Sequence, residues 1–142
     1  MTSSCCAGGD KTGPSGECCA PNGNVMLLSC SGGSNVGQLA NRACVELTRD
    51  GLGKMFCLAG IGGKLSGFVQ SAKDVPEMVV MDGCEIGCAK AIFQGAGVPL
   101  RNYLVLTDLG IAKSKDLDPK AAEVEKVKAA ARQALAAPRE SC

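Results

Sequence analysis

Residues 80–88 of the chain are Val80-Met81-Asp82-Gly83-Cys84-Glu85-Ile86-Gly87-Cys88, an apolar run followed by a glycine turn and two cysteines four positions apart. The apolar run predicts a buried strand. The residues after Gly83 predict a helix from Glu85 to about Gln94, with Ile86 facing inward. A strand that leads directly into a helix is the repeating unit of a parallel sheet, so this stretch predicts an α/β fold.

Two other apolar runs also end in a cysteine, Leu27-Leu28-Ser29-Cys30 and Met55-Phe56-Cys57, and a glycine-rich turn follows each of them. The predicted strands cover residues 25–30, 54–58, 75–82 and 103–107, and the predicted helices cover residues 35–49, 65–72 and 85–94. Near-continuous apolar strands alternating with helices predict a three-layer open sheet of about four parallel strands with helices on both faces. We expect the strand order 2-1-3-4, which places the first strand between the second and the third.

The composition divides the chain into three parts. Residues 1–24 are rich in Gly, Ser and Pro without hydrophobic periodicity, which predicts a flexible tail. Residues 25–113 predict the α/β metal-binding domain, and residues 114–142 predict an Ala-rich C-terminal helix that packs on it. Asp118-Pro119 predicts the start of that helix, because an N-cap residue precedes a proline at the first helical position.

The whole chain of 142 residues has ten cysteines, no histidine, four aromatic residues and a net charge of +1. Without imidazole, a transition-metal site must use thiolate or carboxylate ligands. The low charge and few aromatic rings argue against nucleic-acid binding. No targeting segment and no apolar run of about 20 residues is visible, so we expect no membrane association and a reducing cytoplasm. There, cysteines more often serve metal or redox chemistry than disulfides.

If the strands are parallel, Cys30, Cys57 and Cys84 end three neighbouring strands at one edge of the sheet. Strands lie ~4.8 Å apart, which is compatible with the roughly 3.8 Å between sulfurs around tetrahedral zinc. Cys88 follows one helical turn after Cys84 and can complete the set. We therefore predict a four-thiol metal site. Four thiolates leave no open position for water, as in structural zinc sites. Tetrahedral sulfur ligands would suit an iron–sulfur cluster equally well, so the geometry alone does not identify the metal, and we expect zinc before a cluster.

Two residues beside these cysteines are expected to support the site. Asp82 is expected to orient backbone amides near the sulfurs, and Gly83 to let the backbone approach them. Cys44 lies on the apolar stripe of the first helix, which predicts a buried structural thiol instead of a ligand. Cys5, Cys6, Cys18 and Cys19 in the tail are either incidental thiols or a second soft-metal or redox site.

Four motifs resemble the DGC-domain family over roughly residues 25–113. They are Cys30-Ser31-Gly32-Gly33-Ser34-Asn35-Val36-Gly37-Gln38-Leu39-Ala40, Phe56-Cys57-Leu58-Ala59-Gly60-Ile61-Gly62-Gly63, Asp82-Gly83-Cys84 with Cys88, and Leu106-Thr107-Asp108-Leu109-Gly110-Ile111. The family is named for its Asp-Gly-Cys motif and is regarded as zinc-binding because of four shared cysteines, while its biochemical role is not established. The resemblance implies Zn²⁺ as the bound ion and Cys30, Cys57, Cys84 and Cys88 as its ligands.

A thiol-redox enzyme or sensor is the alternative. The loop after Cys30 is similar to the phosphate loop of arsenate-reductase-like proteins, in which an arginine stands six residues after the cysteine. Here that position is Val36, and Arg42 is too far along the helix to replace the arginine. A cascade from Cys30 to Cys84 and Cys88 stays open, as does a disulfide between the latter two. The glycine loop lacks the Gly-x-Gly-x-x-Gly spacing and the Lys-Ser/Thr that nucleotide binding would require.

Overall fold

The computed structural model describes residues 24–137. They form one parallel sheet in the order β2-β1-β3-β4, which confirms the predicted order. The strands are β1 (Val25–Ser29), β2 (Lys54–Met55), β3 (Glu77–Asp82) and β4 (Tyr103–Val105). Predictions for the tail cysteines lie outside the described residues.

The helices of the described chain cover both faces of the sheet, as expected of parallel strands. They are α1 (Asn35–Arg49), α2 (Leu58–Gly62), α3 (Ser66–Asp74), α4 (Cys88–Ala96) and α5 (Ala121–Ala136), with a 3₁₀ helix at Leu106–Leu109. One core contains α1 and α5 side chains, and the other contains side chains from α2, α3 and α4. Alternate β1 residues enter the two cores, Leu27 the first and Leu28 the second.

The prediction that the second strand covers residues 54–58 is wrong beyond Met55. The ladder continues for one more hydrogen bond, from Phe56 N to Leu27 O (2.8 Å), and Cys57 then becomes the N-cap of α2. The glycine-rich residues that follow form this short helix instead of an open turn. A Cβ atom on Gly60 would lie 2.5 Å from the Phe68 ring, so the glycine allows the ring to pack directly on the helix backbone.

The predicted start of the fourth helix is also wrong. The helix begins at Cys88, not at Glu85, and residues 84–87 form a turn that ends at Gly87 with φ of +68°. Ile86, which we expected to face inward, is 68% exposed. A glycine accepts this left-handed conformation at little cost, so the chain can turn here before it enters the helix.

The C-terminal helix begins at Ala121, three residues after the predicted Asp118 cap. Asp118 instead donates its backbone N–H to Asp116 Oδ1 in the preceding loop. The expected apolar face of α5 is present, since Val124, Val127 and Ala131 are buried in the core shared with α1. Within residues 24–137, none of the helices has the length and apolarity needed to cross a bilayer.

Candidate metal centre

The four candidate cysteines lie at the carboxyl edge of the sheet, which we call the thiol edge. Cys30 follows β1, Cys57 precedes α2, Cys84 follows β3 by two residues, and Cys88 is the first residue of α4. The thiols of Cys30 and Cys84 are half-buried, and those of Cys57 and Cys88 are exposed. The segments that follow β1, β2 and β3, together with the start of α4, therefore place the four sulfurs at the same rim of the domain.

Gly83 joins three segments of the thiol edge. Its N–H donates to Cys30 Sγ at 3.1 Å, and its carbonyl accepts from Thr107 N at 3.3 Å. A Cβ atom at this position would lie 2.7 Å from the carbonyl carbon of Val36, closer than real Cβ atoms come to a backbone. Only glycine lets β3 approach the start of α1 so closely.

Asp82 is the anchor of the helix that carries Cys88. The side chain is 1% exposed and accepts hydrogen bonds from Ala89 N at 2.8 Å and Lys90 N at 3.0 Å. These amides are otherwise unpaired at a helix N-terminus, so a carboxylate from β3 performs the role of an N-cap. Tyr103 donates its hydroxyl to the same carboxylate at 2.8 Å, and burial is the main cause that raises the pKa of this tyrosine above its usual range.

Two grooves open at the thiol edge, and Cys30 and Cys88 line both of them. The Lys113 groove has a volume of about 230 Å³ and adds Cys84, Lys113 and the glycine loop after Cys30. The Cys57 groove has a volume of about 350 Å³ and adds Cys57. The pair Cys30 and Cys88 thus stands between Cys57 on one side and Cys84 on the other.

The donor set fits a thiophilic metal ion, because four thiols without competing imidazole line one rim. Their positions do not form a closed cluster. Among residues 24–137, no three Cys, Asp or Glu side chains lie close enough together to hold a metal ion. The sulfurs of Cys57 and Cys84, which lie on opposite sides of the Cys30 and Cys88 pair, would have to approach one another for all four to bind one ion.

Two thiols, the half-buried Cys30 and the buried Cys44, have raised pKa values. Burial raises the pKa of Cys30 to about 11, against the lowering effect of the Gly83 hydrogen bond. Burial raises the pKa of Cys44 to about 12. Cys44 is fully buried within the core between α1 and the sheet, which confirms the prediction of a structural thiol.

Lys113 lies beside one of the candidate thiols, a position that no sequence pattern indicated. Its Nζ atom lies 3.4 Å from Cys84 Sγ, and it lines the groove that carries its name. The two residues are 29 positions apart, and Lys113 stands in a loop without periodicity. Only the folded arrangement of β3 and the segment after β4 brings them together.

In the part of the chain that the structure describes, no arginine lines either groove beside Cys30, although an arsenate-reductase-like loop would require one. Val36 is fully buried in the core. Arg42 donates to Glu46 Oε1 at 2.9 Å, one turn further along α1, and is not a lining residue of either groove. The cationic side chain closest in role is Lys113, which contacts Cys84 and not Cys30.

The fold and the rim of thiols define a parallel α/β domain with a cysteine-rich edge. Residues 26–131 match the model of the DGC domain, and the chain belongs to this family. The match extends beyond residue 113, where the resemblance in the motifs ended, and includes much of α5. Over 102 residues the chain is 33% identical to the anaerobic and virulence modulator AnvM of Pseudomonas aeruginosa, which covers 72% of this chain and 78% of that protein. No solved structure matches the chain.

Proposed function

We propose that this chain is a zinc-binding protein whose ligands are Cys30, Cys57, Cys84 and Cys88. The observation that carries the proposal is that three segments of the chain place four thiols at one rim, with Cys30 and Cys88 lining both grooves. Four thiolates are a ligand set typical of structural zinc. When bound, the ion would supply a cross-link between the segments, without an open position for water.

The surroundings of the sulfurs are suited to thiolate ligands. The Gly83 N–H donates to Cys30 Sγ, and Lys113 places a positive charge beside Cys84 Sγ. Cys88 occupies the first position of α4, where the helix dipole favours negative charge. These groups partly offset the −2 charge of a zinc ion with four thiolates, a charge that would otherwise disfavour the site.

The structure gives less support to the thiol-redox alternative. A nucleophilic cysteine reacts as its thiolate, whereas burial raises the pKa of Cys30 to about 11 and keeps it protonated near neutral pH. A metal ion can displace that proton when it binds, because ligand thiols bind as thiolates. The half-buried thiol of Cys30 is therefore better suited to metal ligation than to attack on a substrate.

The name of the Pseudomonas relative describes a modulator. We extend that description to this chain as a proposal: the zinc site serves a modulating role.

The test is the metal content of the full chain purified without chelator, measured by native mass spectrometry together with a count of free thiols. We expect one zinc ion per chain and four thiols that become open to alkylation only when the zinc is removed, apart from Cys44, which is fully buried in the core. Changing any one of Cys30, Cys57, Cys84 or Cys88 to Ser should abolish stoichiometric zinc, whereas Cys142→Ser should retain it. Zinc uptake that is unaffected by these four changes, or equally affected by Cys142→Ser, would contradict the assignment.

A further inference from the structure

Among residues 24–137, Lys113 is the one cationic residue that lines the Lys113 groove, and its contact is with sulfur. The Nζ atom donates to Cys84 Sγ at 3.4 Å, within the range of a hydrogen bond to sulfur. An exposed lysine is usually a poor electrostatic partner, because holding its long side chain in one place costs conformational entropy. The contribution of this contact to stabilising the Cys84 sulfur therefore depends on whether the structure fixes the segment from which Lys113 extends.

Asn35 fixes that segment on both sides of Lys113. Its side-chain amide donates to Ala112 O at 2.8 Å, and its side-chain carbonyl accepts from Ser114 N at 2.6 Å. Its backbone N–H donates to Ser114 O at 3.1 Å. Asn35 is the first residue of α1 and closes the glycine loop that begins at Cys30. The loop that follows Cys30 therefore holds the segment of Lys113, and Lys113 in turn contacts Cys84.

We propose that Lys113 is a positioning residue of the metal site, held over the Cys84 sulfur by the clamp of Asn35 on residues 112–114. Its ammonium group orients this sulfur by a hydrogen bond and offsets the negative charge of the bound thiolates. The inference rests on the proposed function for the identity of the ion. It adds two residues, Lys113 and Asn35, to the four cysteines of the proposed site.

The test compares zinc affinity in full-length variants by competition with a chromophoric chelator. Lys113→Met should weaken zinc binding by about tenfold, the lower end of what loss of a group supporting a ligand costs. Lys113→Arg retains the charge and the donors and should recover most of the affinity. Lys115→Met is the matched control, since it removes the same charge from an exposed position two residues away, and it should leave the affinity unchanged.

A double-mutant cycle separates the clamp from a general effect of Asn35 on folding. Asn35→Ala removes two hydrogen bonds to residues 112 and 114 and leaves the backbone bond in place. If Asn35 acts through Lys113, the double variant should bind zinc no more weakly than Lys113→Met alone. Losses that simply add would show that Asn35 acts independently, and the clamp would be rejected.

A measurement on metal-free protein distinguishes failure of this inference from failure of the proposed function. Iodoacetamide, a neutral reagent, is applied at one pH, and the alkylation of each cysteine is followed by peptide mass spectrometry. Lys113→Met removes the group in contact with Cys84 Sγ and should change the alkylation rate of Cys84, while that of Cys57, which lies in the other groove, stays the same. If the wild type binds zinc and Lys113→Met binds it equally well, the inference fails and the proposed function stands. If the wild type binds no zinc, the proposed function fails, and equal alkylation of Cys84 in both proteins would then also reject the pairing of Lys113 with this sulfur.

Discussion

At the scale of single residues, Gly83 is a position where the backbone leaves no room for a side chain. A methyl group there would lie 2.7 Å from the Val36 carbonyl carbon and 2.9 Å from Gly37 N, and these backbone atoms cannot rotate away. We expect Gly83→Ala to lower the free energy of unfolding by roughly 1–3 kcal/mol, as overpacking does. Urea denaturation of the metal-free protein measures it.

Gly95 provides the opposite case for the same substitution. It lies in α4, and a Cβ atom there would have no neighbour within 4 Å. Gly95→Ala should therefore leave stability unchanged or raise it by up to about 1 kcal/mol, because alanine loses less conformational entropy in a helix. Equal destabilisation by both variants would show that close approach at Gly83 is not the cause.

At the scale of elements, local signals could be predicted from the sequence and distant ones could not. The predicted bounds of α1 are correct because its cap is local: Ser34 accepts from Gly37 N three residues away. The cap of α4 comes from Asp82, six residues before the helix begins, so no local pattern marks Cys88 as the start. The strand order could be predicted from local apolar runs, and it indicates which cysteines share an edge. The division of these cysteines between two grooves depends on contacts between distant segments, so it could not be predicted.

The contact between α1 and α5 contains a network of ion pairs that the sequence did not suggest. The Lys128 side chain is 9% exposed, and its Nζ atom lies 2.9 Å from Asp50 and 3.0 Å from Glu125. Hydrogen bonds from Lys128 and Arg132 hold the pKa of Asp50 below its usual value. Hydrogen bonds from Arg42 and Lys128 likewise hold the pKa of Glu46 below its usual value. The network therefore ties the C-terminal helix to α1 only while these carboxylates are ionised.

The network predicts a specific loss of stability in acid. A carboxyl group with a lowered folded-state pKa contributes stability above its unfolded pKa and loses it as the pH falls through the folded value. The urea midpoint of the wild type should thus fall from about pH 4 downward. Lys128→Met should have a lower midpoint at pH 7 and a shallower decline, so that the two curves converge near pH 2. Lys126→Met, at an exposed position of the same helix, should follow the wild type throughout.

At the scale of the whole molecule, a metal ion at the thiol edge would link parts of the domain that have separate cores. Cys57 and Cys88 belong to the helices on one face of the sheet, whereas Cys30 and Cys84 pack against the core on the other. An ion that binds only the folded chain stabilises it by about 2.7 kcal/mol when its concentration is 100 times the dissociation constant. For a domain of this size that corresponds to a rise in Tm of about 10 °C.

Two Cys→Ser variants should separate metal binding from packing. Cys57 is exposed, so Cys57→Ser should leave the Tm of the metal-free protein unchanged and abolish the rise on addition of zinc. Cys44 is fully buried, so Cys44→Ser should lower the metal-free stability by about 1–3 kcal/mol, the cost of a poorly paired buried hydroxyl, and keep the rise with zinc. Scanning calorimetry with and without zinc measures both effects. If Cys57→Ser retained the full rise, the ion would be held elsewhere, and the four thiols would share an edge of the sheet without sharing a metal.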